Sequence, residues 1–191
     1  MARTTEFEPN VALERAVDVF WDKGYSDTSM DDLIKCMGVA RYGVYNTWGN
    51  KRELFLAALK KYMSQRIGTI RSVFGKPDAA LPEIKGFFEK LLKQEKREQS
   101  GCFACNVSIE LASNDQDVAD LVRDMFVQIS KEFRKALGNA VDQGELKTDI
   151  NLNDLADYLA NVMRNTAIMA RSGFSRKEIA KNTRIALNVL N

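Results

Sequence analysis

The chain predicts an all-α fold: an N-terminal three-helix domain containing a helix-turn-helix, joined by a long helix to a larger helical domain. Three observations carry this. Apolar residues recur at helical spacing almost throughout the 191 residues, and the chain has only three prolines. At Met37-Gly38-Val39 a tight turn separates two short apolar-faced segments, which is how a helix-turn-helix is written in sequence. The boundaries that follow are residues 1–50 for the helix-turn-helix domain, 51–74 for the linking helix and 75–191 for the larger domain.

The first helix is set by Leu13, Ala16, Val17, Phe20 and Trp21, spaced as one face of an amphipathic helix, and Gly24 ends it. Thr28 and Ser29 offer N-cap hydroxyls to a second helix, where Asp31 and Asp32 suit the positive end of the dipole. That helix runs to about Cys36, buries Met30, Leu33 and Ile34, and stops at Gly38. A third helix starts after Ala40 and is closed by Gly49. Asn50 then caps the linking helix, with Glu53 placed to complete a capping box. From Lys51 to Phe74 the pattern spans about 36 Å at 1.5 Å per residue. Its first half presents Leu54, Phe55, Ala58, Leu59 and Tyr62, and its second half Ile67, Ile70 and Phe74, as though touching two separate cores.

Gly75-Lys76-Pro77-Asp78 breaks the pattern. Helices are then expected over 81–98, 102–112 and 115–143; the last carries an apolar face from Val118 to Val141 and ends at Gly144. Asn151 or Asn153 caps a helix reaching Arg171, and a final helix spans 176–190. Both of these have more than one apolar side: Val162, Ile168 and Met169 lie off the main face of the first, Ile185 and Val189 off that of the second. A second subunit is the simplest cover, so a homodimer through 152–171 and 176–190 is expected.

Composition narrows the function. The chain is 45% hydrophobic and 28% charged, which fits an ordinary globular protein. Net charge is +2, far from that of a bulk polyelectrolyte binder. There is no His, which removes Ser-His-Asp triads and His-ligated metals together. With no phosphate-cradling glycine motif either, an enzyme is not expected, nor a metal or cofactor. No run approaches the roughly 20 apolar residues that span a bilayer. The odd count of three Cys and a polar leading segment point to a cytoplasmic protein without structural disulfides.

Arg41 to Asn46 carries Arg, two Tyr and Asn on little more than one helical turn. A helix that only fills a core does not spend those positions on long polar groups; a helix lying in the major groove of double-stranded DNA does. Arg41 can bond guanine O6 and N7 together, and Asn46 can read adenine. Tyr42 suits a thymine methyl or a phosphate. Tyr45 suits a phosphate through its hydroxyl, with its ring in the domain core. Lys51, Thr28 and Ser29 stand at helix starts, where backbone N–H groups already favour a phosphate. Arg3 lies in a leading segment expected to be disordered.

With these residues in view, the chain resembles the tetracycline-repressor (TetR) family over Leu13 to Tyr62. The match rests on Ala16, Phe20, Gly24-Tyr25, Thr28-Ser29-Met30, Leu33, Gly38-Val39, Val44-Tyr45, Trp48, Asn50-Lys51 and Leu54-Phe55. One departure is Ala40, where family members often carry Ser or Thr; it starts the recognition helix without a hydroxyl. The resemblance implies a homodimer whose recognition helices enter a partly palindromic operator. It also implies that residues 75–191 form a ligand-binding and dimerisation domain, and that a small hydrophobic effector releases the DNA. Pocket candidates are Phe88, Cys102, Phe103, Cys105, Met125, Phe126, Ile129 and Met163. A thiol-based redox or electrophile sensor using Cys102 or Cys105 is the alternative, because both lie near a predicted helix N-terminus, which lowers thiol pKa.

Overall fold

The computed structural model describes residues 7–93, 101–147 and 149–191. Arg3 and the expected helix end at 94–98 fall outside them. Among the described residues the chain forms α1 (Pro9–Lys23), α2 (Met30–Met37), α3 (Arg41–Trp48), α4 (Lys51–Phe74) and α5 (Leu81–Lys93). These are followed by α6 (Phe103–Leu111), α7 (Gln116–Asp142), α8 (Leu152–Arg171), α9 (Arg176–Ala186) and a closing 3₁₀ turn, Leu187–Leu190. The fold is all-α, as the periodicity predicts.

Local chemistry explains the helix ends of the N-terminal unit. Pro9 opens α1, where its missing N–H costs nothing. The Ser29 side chain accepts from the Asp32 N–H at 3.0 Å while the Asp32 carboxylate accepts from the Ser29 N–H at 3.0 Å, a complete capping box for α2. Thr28 is not a second cap. Its side chain faces inward, 1% exposed, and its hydroxyl donates to the Gly24 carbonyl at 2.5 Å. At the turn, Gly38 takes φ +67°, a left-handed conformation that glycine adopts at no steric cost. Arg15 reaches across from α1 and donates to the Met37 carbonyl at 3.1 Å, which satisfies the end of α2. Ala40 caps α3 without any side-chain bond, as its missing hydroxyl requires. Asn50 and Glu53 form the expected capping box on α4.

Helix α1 packs on α2 and α4, α4 continues onto α7, α7 lies along α8, and α9 packs on α8 and α5. The two ends of α4 do meet different aromatic groups. Phe55 packs with Phe20 and Tyr25, whereas Phe74 packs with Phe87 and Phe133. The expectation of two separate cores does not hold, however. Phe103 on α6 meets Phe55 at 6.1 Å and Tyr62 at 5.6 Å, and the buried residues form one continuous cluster from α1 to α8. The N-terminal unit therefore sits on the larger block through apolar packing as well as through α4.

Candidate DNA-reading face and effector cavity

Helix α3 is anchored by buried Val44 and by half-buried Gly43 and Trp48, with Phe7 against the Trp48 ring at 5.8 Å. Its other face is open: Arg41, Tyr42, Tyr45, Asn46 and Thr47 are all exposed, Tyr42 at 71%. The structure thus gathers four of the proposed DNA contacts on one protruding surface, adds Thr47, and corrects one detail. The Tyr45 ring stands out at 42% exposure instead of packing in the core. Arg41 forms a salt bridge with Asp31 of α2, both ends solvent-exposed. Ser29 is exposed at the α2 start, and Lys51 is half-buried at the α4 start. Thr28, buried with its hydroxyl spent on Gly24, presents nothing to a duplex.

Behind this face two polar clasps fix the N-terminal unit to the rest. The half-buried Glu110 carboxylate, at the end of α6, accepts from the backbone N–H of Tyr25 at 3.1 Å and of Ser26 at 2.7 Å. Gly24 makes room for it: a Cβ there would stand 2.8 Å from Glu110 Oε2, at φ +83°. Burial pushes the Glu110 pKa up, but the bonds from Ser26 and Tyr25 and the charge of Lys51 outweigh it and hold the group below the ordinary carboxylate range. Lys51 in turn lies over the Tyr25 ring at 4.4 Å from its centroid. The second clasp is Arg52, whose guanidinium donates to Asp115 at 3.1 Å and Asp117 at 2.7 Å. Sequence reasoning missed Glu110 because its partners are backbone groups 84 and 85 residues away, which leave no mark in a pattern.

A cavity of about 750 Å³ opens between α1, α4, α5, α8 and α9. Val17, Trp21, Tyr62, Arg66, Leu91, Cys102, Ala167 and Ile179 are among its walls. Of the eight pocket candidates, Cys102 alone is in this lining. Phe88, Phe103, Met125 and Ile129 are fully buried packing residues, Cys105 and Met163 nearly so. Phe88 stacks on Phe133 at 5.9 Å, and Phe126 lies under Arg164 at 4.8 Å. Apolar spacing selects core residues, and core and pocket wall look alike in sequence. A usable signal did exist: Tyr62, Arg66 and Thr69 follow one another at spacings of one turn and put polar groups along the cavity side of α4.

Cys102 is the α6 N-cap residue. The Tyr62 hydroxyl donates to its Sγ at 3.4 Å. The hydrogen bond from the Cys105 thiol, with the Tyr62 bond behind it, holds the Cys102 thiol below its ordinary pKa against the penalty of burial. Cys105 is pushed the other way by its bond to Cys102 and by burial, and burial also raises Tyr62. Cys102 is therefore the more acidic thiol of the pair, and the one that meets the cavity. Cys36 is exposed on α2.

A helix-turn-helix with its polar face outward, carried on an all-helical body, defines a DNA-binding transcriptional regulator. Residues 12–58 match the family model for bacterial regulatory proteins of the tetR family, and residues 80–185 match the tetracyclin repressor-like C-terminal domain. The chain belongs to the TetR family. It is 30% identical over the full length of both chains to the uncharacterized HTH-type transcriptional regulator YezE of Bacillus subtilis. It is 24% identical to the HTH-type transcriptional repressor ComR of Escherichia coli, over 93% of this chain and 86% of that protein. Among solved structures, the TetR family regulator CifR, as a cysteine mutant complexed with a 26 bp operator DNA, aligns with TM-score 0.80 and 25% identity over 99% of this chain and all of that one. Among the described residues no helix is long and apolar enough to cross a membrane.

Proposed function

We propose that the protein is a ligand-responsive repressor that binds a partly palindromic operator as a homodimer. In this reading Arg41 and Asn46 read base edges, Tyr42 meets a thymine methyl or a phosphate, and Tyr45, Ser29 and Lys51 contact phosphates. The observation that carries it is the placement of the cavity. Its walls include α1 and α4, which hold the reading helix, and α8 and α9, which carry the expected dimer face. An effector bound there touches both. The dimer face is supported by Tyr158, Ile168 and Ile185, apolar and exposed on α8 and α9, and by Phe174 between them.

The test is a footprint on the DNA upstream of the protein's own gene at moderate salt, with and without candidate effectors. Protection that an effector removes supports the reading; no protection under any condition refutes it. Sedimentation of wild type and Ile185→Glu reads the dimer separately, the variant shifting toward monomer.

A thiol trigger is the second reading, favoured by the position of Cys102 in the cavity wall beside two hydrogen-bond donors. Cys102→Ser with Cys105→Ser should then abolish release by oxidants or electrophiles and leave operator binding intact. Release that survives the double substitution dismisses it.

A further inference from the structure

We propose that the cavity is built for a monoanionic amphipath: a carboxylate held by Arg66, on an apolar body lying against Val17, Trp21, Leu91, Leu92, Ala167 and Ile179. This deepens the effector reading and rests on it only for the consequence of binding. The charged groups in the lining are Glu14, Asp18, Arg66 and Arg176. Glu14 is neutralised by Lys61 at 3.2 Å and also faces the Gln65 amide. Asp18 and Arg176 each already have an interaction partner. Arg66 differs. It is half-buried on α4, and among the described residues it makes no hydrogen bond or ion pair. It shares the cavity lining with Cys102 and Tyr62, and its charge acts on both and on Cys105.

A partly desolvated cation that has no counterion among the described residues gains from an anion that completes it. Its planar fork matches the two oxygens of a carboxylate. Glu14, Asp18 and Arg176 are already partnered and Arg66 offers one fork, so a diacid or polyphosphate brings charge that the described lining leaves unmatched. The remaining wall is chiefly apolar, and about 750 Å³ is a volume that a small ligand with a hydrocarbon or aryl body fills. Cys102 and Tyr62 occupy each other's hydrogen bond, so the head group is recognised by Arg66 first.

The test compares octanoate, octanol and octylamine, three probes of one chain length and different charge, on the purified full-length protein by calorimetry and thermal shift. Octanoate is expected to bind about tenfold or more tightly than octanol, the increment of a charge-assisted contact, and octylamine more weakly still. Arg66→Gln should lose that preference while binding octanol as wild type does; Arg66→Lys, which keeps the charge and loses the fork, should fall between. Octanol binding as tightly as octanoate, octylamine binding best, no binding of any probe, or an unchanged preference in Arg66→Gln each overturns the proposal. If Arg66→Gln fails to fold, the three-probe comparison on wild type and Arg66→Lys still decides. Operator release is scored in parallel. Octanoate bound through Arg66 without release leaves the site standing and removes the effector role; release by other compounds, indifferent to Arg66, does the reverse.

Discussion

Glu110→Gln should unfasten the N-terminal unit from α6. In the wild type, one oxygen accepts from Ser26 N–H at 2.7 Å and the other from Tyr25 N–H at 3.1 Å. A backbone bond to a carboxylate is worth about 1.5–3 kcal/mol net, and the half-exposed position puts each at the low end. Glutamine keeps one acceptor and turns an NH₂ toward the other amide, so one bond is lost and two donors face each other. The expected loss is about 2 kcal/mol. For a chain of this size that is roughly 4–8 °C in Tm. The pH dependence follows from the sign of the shift. Glu110 is held below the ordinary carboxylate range when folded. Its contribution is therefore fully present above the unfolded value and disappears as pH falls through the folded one. Melting curves of both proteins from about pH 7 to about pH 3 should show a gap that is widest at neutrality and closes in acid. Equal Tm values at neutral pH, or a gap that persists undiminished in acid, would mean that the ionised Glu110 carboxylate does not fasten the unit.

Three further outcomes are expected. Arg41→Ala should relax operator discrimination by about 1–3 kcal/mol at one base position, whereas Lys51→Ala should weaken all sequences alike and flatten the salt dependence, both read by binding titrations at several salt concentrations. Asp31→Asn removes the acidic partner of Arg41; a surface pair contributes only roughly 0–1 kcal/mol, so the fold should be unaffected while operator binding tightens a few-fold at low salt. Phe88→Ala should cost about 3–5 kcal/mol in denaturant unfolding, because its ring is fully buried against Phe87 and Phe133. A loss under about 1 kcal/mol would instead mark Phe88 as a loosely packed wall.

The parts that sequence disclosed are those whose cause is local. Asn50 with Glu53 is a box closed within four residues, and it forms as expected; Ser29 caps α2 as expected, and Asp32, read only as favouring the dipole, completes a second box. Gly24, Gly38 and Gly49 end helices because the chain turns left-handed there, and all three have positive φ. The polar composition of Arg41 to Asn46 disclosed an outward face. Long-range matters stayed hidden. Whether Tyr45 packs or protrudes depends on what Val44 and Trp48 find beneath them. Thr28 and Ser29 are interchangeable caps on paper; the carbonyl of Gly24 decides between them. Phe88 and Met125 have the same apolar signature as a pocket wall, and only the convergence of α1, α4, α8 and α9 puts the opening elsewhere.

That convergence has a mechanical consequence for how an occupant could act. The interior of the N-terminal unit, with Phe20, Leu33, Val44, Leu54 and Phe55 at 0–1% exposure, is close-packed and runs on into the larger block where Phe55 meets Phe103. Packed interiors rearrange as bodies and do not deform smoothly. Under the proposed reading, a molecule lodged against Trp21 of α1 and Tyr62 of α4 would move the unit as a whole, α3 included. The resistance would come from the packing of Phe103 on Phe55 and Tyr62 and from the two clasps, Glu110 on the α1–α2 turn and Asp115 with Asp117 on Arg52, both set at the α6–α7 end of the larger block. Lys51 and Arg52 open α4, and Tyr62 and Arg66 lie farther along the same 24-residue helix, so a tilt at the cavity reaches the reading face through a single rigid element. The clasps would then contribute to the free energy an effector has to supply, and under the proposed reading weakening Glu110 should lower the effector concentration needed for release as well as the melting temperature.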